Sequence, residues 1–261
     1  MERAHEDMSS LLFCEQNRRT FIIQPDRPTV YKHKQQTKMR MKLISRILQN
    51  TRKPHGFWGR MMLRGMNCGH ARVAEWGMSM LEWMPQWDAL DIGCGGGANI
   101  SRMLKLCSRG RVCGVDLSPE SVAFARKKNR HALGRRCAIE QGSADLLPYA
   151  DASFDIVTAF ETIYFWPDLN GAFRQIDRVL KDGGLFMVCN EASNPNNTFW
   201  TNRIEGMTVH SAEGIGHVLT NTCFDDISIN YGRGEEICII ARKPHARAQA
   251  EKSRRQGATA G

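Results

Sequence analysis

From residue 87 onward the chain alternates between two hydrophobic periods. Residues 88–94, 111–117, 137–141, 154–161 and 185–190 are short apolar runs bounded by glycine, proline or polar clusters, and they predict buried strands. Between them, residues 99–108 and 169–180 carry apolar positions three and four apart, which predicts helices. A further helix begins at Ser118, Pro119 and Glu120, with a hydroxyl cap and a proline at the first helical position. Lys181, Asp182, Gly183 and Gly184 read as a turn before the fifth strand. After a helical stretch at 212–223, residues 227–231 and 236–241 flank Gly232, Arg233, Gly234 and Glu235, the pattern of a hairpin. Strands alternating with helices imply a parallel sheet covered on both faces, here closed by an antiparallel hairpin. The expectation is an α/β doubly wound sheet of about seven strands.

Upstream, Met62, Met66, His70, Val73, Gly77, Met80, Leu81 and Met84 step at three or four residues, with a break near 67–69. Residues 54–86 therefore predict a helical cap. Its methionines suit either plain core filling or the wall of a binding site. Residues 1–53 read as a basic, largely disordered N-terminal extension. Within it, Leu43, Ile44, Ile47 and Leu48 lie at helical spacing on a basic background. An amphipathic helix over 41–49 fits a peripheral contact with an anionic membrane or a partner, and equally a short docking helix. Residues 245–261 read as a disordered basic tail. The core domain is thus expected at 87–244.

Charge sharpens this division. The formal net charge of +9 is uneven: residues 1–60 hold 13 Lys/Arg against 5 Asp/Glu, and residues 61–240 hold 17 against 21. A folded nucleic-acid binder shows its basic face on the domain itself, so nucleic acid is not the expected partner. The nine cysteines include no C-x-x-C pair, which excludes a disulfide framework or zinc pattern and suits a reducing, cytoplasmic setting. No apolar run approaches the roughly 20 residues that span a bilayer, and no signal-peptide core is visible.

The informative segment is Ala89-Leu90-Asp91-Ile92-Gly93-Cys94-Gly95-Gly96-Gly97-Ala98. A strand that empties into glycines and then a helix lets backbone N–H groups approach a ligand closely. Gly93, Gly95 and Ala98, with Asp116 about 20 residues on, also satisfy the dinucleotide fingerprint, so a nicotinamide or flavin enzyme competes. Three features weigh against it. Asp91 at the strand end would repel a pyrophosphate but suits an ammonium group. Ala144 and Asp145 follow the third strand, where an acid beside a small residue can meet an adenine edge. The final hairpin is unlike a second mononucleotide-binding half.

Four segments in register, LDIGCGGG at 90–97, GVDLSPESV at 114–122, GSADLLPYADASFDIV at 142–157 and RVLKDGGLFMV at 178–188, together resemble the class I S-adenosylmethionine-dependent methyltransferases, including the ubiquinone/menaquinone-type small-molecule enzymes. The resemblance covers roughly residues 89–244 and implies a Rossmann-like core. It implies S-adenosyl-L-methionine as cofactor, with S-adenosyl-L-homocysteine as product. It places Gly93, Gly95 and Gly97 along the methionine portion and Asp91 near its ammonium, through water or neighbouring backbone. Asp116 would take the ribose hydroxyls, Leu117 the adenine face, and Ala144 and Asp145 the adenine edge. Glu161 would sit near the methionine end.

Methyl transfer from a sulfonium is an in-line displacement that asks the protein for alignment and exclusion of water, with a base only for a protonated nucleophile. The absence of a metal-ligand pattern is compatible with this. Residues 161–167 (ETIYFWP) match neither the Asn/Asp-Pro-Pro-Tyr of amino methyltransferases nor the Pro-Cys of cytosine C5 enzymes. Substrate contacts are expected from the cap, from residues 164–166, and from a lid at 193–211. His70 is the candidate general base, against a buried structural histidine; Tyr164 is the candidate for orienting the nucleophile, against plain packing. His210 is a second, lesser base candidate. The leading expectation is a methyltransferase acting on a small-molecule acceptor. An RNA or protein methyltransferase and a non-catalytic cofactor-binding protein are the alternatives.

Overall fold

The computed structural model of the protein describes residues 70–245. The expected extension, its helix at 41–49, the cap residues before 70 and the basic tail beyond 245 lie outside the described residues. Seven strands form one sheet: β1 (Ala89–Ile92), β2 (Val112–Asp116), β3 (Cys137–Gln141), β4 (Phe154–Phe160), β5 (Leu180–Asn190), β6 (Asp225–Tyr231) and β7 (Ile237–Arg242). Their order across the sheet is β3-β2-β1-β4-β5-β7-β6. The first five run parallel, and β7 pairs antiparallel with both β5 and β6. The chain order reverses direction between β1 and β4, so a crevice opens there at the carboxyl ends of the strands.

Among the described residues, five α-helices cover the sheet: α1 (Ala71–Met78), α2 (Ala98–Leu106), α3 (Pro119–Lys128), α4 (Leu169–Val179) and α5 (Ala212–Thr222). Because successive side chains on a strand point to opposite faces, the buried strand residues divide into two cores. Leu90, Ile92, Val157 and Phe186 pack with Phe173 and Ile176 of α4 and Ile215 of α5. Ala89, Ile156 and Met187 pack with Ile100 and Met103 of α2 and Ala74 of α1. The cap pattern is only partly realised: α1 ends at Met78, and Met80 and Met84 are exposed, since the chain turns back through Pro85 before a second apolar face can be covered.

Local signals explain the element ends. Ser118 Oγ accepts from Ser121 N at 3.3 Å with Pro119 following it, and Ser211 Oγ accepts from Gly214 N at 3.0 Å. One expectation fails. The predicted turn at 181–184 lies inside β5, which starts at Leu180. There the register with β4 slips between Phe154 and Ile156, and Gly183 takes φ +76°. Leu180 faces Phe154 and Leu185 faces Ile156, so residues 181–184 bulge out of the β4–β5 ladder without a partner in β4, held on the other side by Lys243 N donating to Gly184 O.

The buried face of α1, Val73, Ala74, Gly77 and Met78, seats it on the sheet, and two ion pairs add to this. Arg72 holds the buried Glu236 at the β6–β7 hairpin, and Arg102 of α2 reaches Glu75 at 2.9 Å. Together these contacts set the position of His70, the residue immediately before α1.

Candidate active site

A cleft of about 410 Å³ lies over the carboxyl ends of β1–β4. Its floor is the glycine turn after β1. Gly93, Gly95 and Gly97 all have positive φ, but they do different things. At Gly95 an added Cβ would meet nothing closer than 4.0 Å and would project into open space. At Gly97, which caps α2 with φ +72°, a Cβ would come within 2.8 Å of Ala125 Cβ and 2.7 Å of Asn129 Nδ2. Gly97 is therefore a packing glycine between α2 and α3 and does not line the cleft. Gly96, unremarked in the sequence reading, does.

Asp116, at the end of β2, lines the cleft. Its Oδ2 accepts from Gly95 N at 2.8 Å and its Oδ1 from Ser118 N at 2.9 Å. Burial raises its pKa, and those two amides pull in the opposite direction. The Ser121 side chain is a third hydrogen-bond partner, which leaves the carboxylate part of its acceptor capacity for a ligand hydroxyl. Leu117 beside it is 45% exposed, an apolar surface at the cleft wall. Ala144 and Asp145, after β3, and Glu161, after β4, line the same space. So do Phe165 and Trp166, while the 193–211 segment contributes no lining residue. That segment docks elsewhere, with Ser193 Oγ donating to Glu235 O at 2.7 Å and Thr208 N to Tyr164 O at 2.9 Å. His210 is likewise outside the cleft, and burial lowers its pKa.

Asp91 is corrected in a similar way. Strand alternation turns its side chain into the α1–α3 face of the sheet, where it is 2% exposed and accepts from Thr158 Oγ1 at 2.8 Å. Burial pushes its pKa up to about 7, against the Thr158 hydrogen bond and with help from the Asp116 charge. It ties β1 to β4 through Thr158 and is not a wall of the cleft.

Three elements meet around Glu161. Glu161 follows β4 with φ +57°, a conformation that costs a non-glycine residue roughly 1–3 kcal/mol. Its N–H donates to Cys189 O at 2.9 Å, and its Oε1 accepts from Glu191 N, just past the adjacent β5. Burial, partly countered by His70, pushes the Glu161 pKa up to about 7. His70 Nδ1 stands 3.3 Å from Glu191 Oε2 and 3.7 Å from Glu161 Oε2. Burial lowers the His70 pKa, but the two carboxylates outweigh it and hold the value above the ordinary one. Tyr164, offered by sequence as a substrate contact, is buried behind Glu161 and does not line the cleft. Its hydroxyl accepts from Ala192 N at 3.0 Å and lies 3.4 Å from Glu161 Oε2. Ala192 O, at 3.2 Å, is the nearer acceptor for its proton. Glu191 was missed by the sequence reading because nothing local marks it; only the pairing of β4 with β5 brings it to Glu161.

Four acids, Asp116, Asp145, Glu161 and Asp168, line the cleft, and among the described lining residues there is no lysine or arginine. The cleft is acidic although the chain as a whole is basic.

Residues 90–188 match the family model described as a methyltransferase domain. The chain is 30% identical over 183 residues to a phosphoethanolamine N-methyltransferase of Triticum aestivum, covering 68% of this chain and 35% of that protein. It is also 30% identical over 137 residues to the sterol 4-C-methyltransferase strm-1 of Caenorhabditis elegans, covering 52% and 39%. The chain thus spans about a third of the length of the curated relatives it matches. Among solved structures, a geranyl diphosphate C-methyltransferase from Streptomyces coelicolor A3(2), in complex with S-adenosyl-L-homocysteine, is similar with a TM-score of 0.57 at 17% identity, over 66% of this chain and 76% of that one. A Haloferax volcanii methyltransferase complex with the Trm112 activator gives 0.60 at 22%, over 70% and 94%. Among the described residues, no helix is long and apolar enough to cross a membrane.

Proposed function

We propose that this protein, whose residues 90–188 match the methyltransferase-domain family, is a class I S-adenosylmethionine-dependent methyltransferase that transfers a methyl group to a small-molecule acceptor bound in the acidic cleft. The residues present fit the cofactor. Gly95 leaves a space that a Cβ would fill, and Asp116 keeps free lone pairs at the end of β2. The N-terminus of α2, at Ala98 and Asn99, opens onto the same cleft, where its free amides favour a carboxylate. When bound, S-adenosyl-L-methionine supplies an activated methyl group and leaves as S-adenosyl-L-homocysteine.

The chain's own residues do the rest. Asp116 accepts the ribose hydroxyls, Leu117 covers the adenine face, and Ala144 and Asp145 meet its edge. Gly93, Gly95 and Gly96 give backbone access along the methionine portion. Phe165 and Trp166 wall the acceptor end and keep water away from the transfer. His70 and Glu161 lie at that end, where they bear on the ionisation of the acceptor's nucleophile.

The observation that carries this reading is Asp116 standing over the glycine turn in a cleft of acidic lining. A polyanionic acceptor needs several cationic contacts, and the described walls offer no lysine or arginine, which favours a neutral or cationic metabolite over nucleic acid. The test is incubation with methyl-labelled S-adenosyl-L-methionine and a host extract, followed by separation into small-molecule, RNA and protein fractions. Label is expected in the small-molecule fraction and absent with Asp116→Ala. Label in RNA or protein overturns the acceptor class, and cofactor binding without transfer to any fraction overturns the enzymatic reading.

A further inference from the structure

We propose that His70, Glu161 and Glu191 form a binding site for one divalent transition-metal ion at the acceptor end of the cleft. Their ligand atoms all lie within 4.8 Å of one another. They come from three separate elements: the residue before α1, the residue after β4 and the residue after β5. The imidazole carries the argument. His70 Nδ1 is buried and has no aligned hydrogen-bond partner, although carboxylate oxygens stand 3.3 and 3.7 Å from it. Both distances are in ion-pair range, and they set this nitrogen among the ligand atoms of two carboxylates.

Magnitudes decide what that shared particle is. A tetrahedral ion with bonds of about 2.1 Å sets its ligands about 3.4 Å apart. An ammonium, held by hydrogen bonds of about 2.8 Å, sets its acceptors about 4.6 Å apart. The two His70 spacings match the ion. One imidazole with two carboxylates suits Zn²⁺ or Mn²⁺; Mg²⁺, a hard ion that prefers oxygen and its own water, suits it poorly. The surroundings support the ligands as metal sites require. Tyr164 Oη lies 3.4 Å from Glu161 Oε2, and Glu191 N donates to Glu161 Oε1.

His70 and Glu161 line the cleft, and the side chains of His70 and Glu191 each remain 32% exposed, so solvent or an acceptor can reach the ion. An acceptor hydroxyl bound there ionises more readily than in water. The inference goes beyond the methyl-transfer reading and is independent of it, because metal binding is measured without turnover.

The full-length protein is stripped of metal and titrated with Zn²⁺, Mn²⁺ and Mg²⁺ by calorimetry, and with Co²⁺ by its visible absorption. Wild type is expected to bind one Zn²⁺ per chain and to melt at a higher temperature with Zn²⁺ present. Mg²⁺ is expected to bind at least about tenfold more weakly. Glu191→Gln and His70→Ala should each weaken Zn²⁺ at least about tenfold and lose the metal-dependent rise in Tm. Each variant's own metal-free melt serves as its folding reference. The Co²⁺ spectrum should lack the intense thiolate charge-transfer band. No binding by wild type, undiminished binding by both variants, or a thiolate band placing the ion on cysteine would each overturn the proposal.

Discussion

Replacing Asp91 by asparagine tests whether its buried carboxyl is neutral in the folded protein. Its pKa is pushed from 3.8 to about 7 by burial, with the Asp116 charge adding to the effect and Thr158 opposing it. That rise is worth about 4 kcal/mol, at about 1.4 kcal/mol per tenfold change in proton affinity. The sign follows from a folded value raised above the unfolded one. Below about pH 4 both states hold the proton and the contribution to stability is complete. It is lost as pH rises, until above about pH 7 the native state must ionise a buried carboxyl. Asparagine imitates the neutral acid and can still accept from Thr158 Oγ1, so its contribution does not vary with pH. Between about pH 5 and pH 8 the wild type should therefore lose about 3 kcal/mol more stability than Asp91→Asn. The assay is urea unfolding of the cofactor-free proteins at both pH values, with linear extrapolation. Every other titrating group is common to the two proteins and cancels. Stability differences that agree at the two pH values within about 0.5 kcal/mol would refute the reasoning and mean that Asp91 is ionised in the fold.

The remaining predictions separate binding from architecture. Asp116→Ala removes two charge-assisted acceptor positions and should weaken S-adenosyl-L-methionine by about 10- to 150-fold, as measured by calorimetry; unchanged affinity would remove Asp116 from the site. Gly95→Ala places a methyl group in the cleft and should weaken cofactor binding more than it lowers Tm. Gly97→Ala should do the reverse, losing about 1–3 kcal/mol by denaturant unfolding through its contacts with Ala125 and Asn129. Equal effects from the two substitutions would contradict the roles assigned here. Tyr164→Phe leaves Ala192 N without its hydroxyl acceptor and should cost about 1–3 kcal/mol by denaturant unfolding; unchanged stability would show that the hydroxyl is not needed there.

Much of this architecture was legible in the chain itself. Strand and helix periods, the Ser118-Pro119 helix start and the glycine turn are local properties, set by which side chains the backbone conformation permits and by spacing along one element. Such properties survive without knowledge of neighbours, which is why the strand sequence, the closing hairpin and the acid at the end of β2 could be named in advance. Pairing in the sheet decided the rest. The turn-like residues 181–184 became a bulge inside one long strand, because Leu180 and Leu185 on either side of them both pair with β4. Gly97 became a packing glycine because α3 lies against it, and Asp91 turned away from the cleft because strand alternation assigns it to the other face. Tyr164 went into the interior, where the backbone of Ala192 satisfies its hydroxyl. Glu191, 30 residues from Glu161 in sequence, meets it because β4 and β5 are neighbours, and His70 joins them because the buried face of α1, with ion pairs from Arg72 and Arg102, seats that helix there. Contacts between distant segments are properties of packing, and a sequence carries no single-residue mark of them.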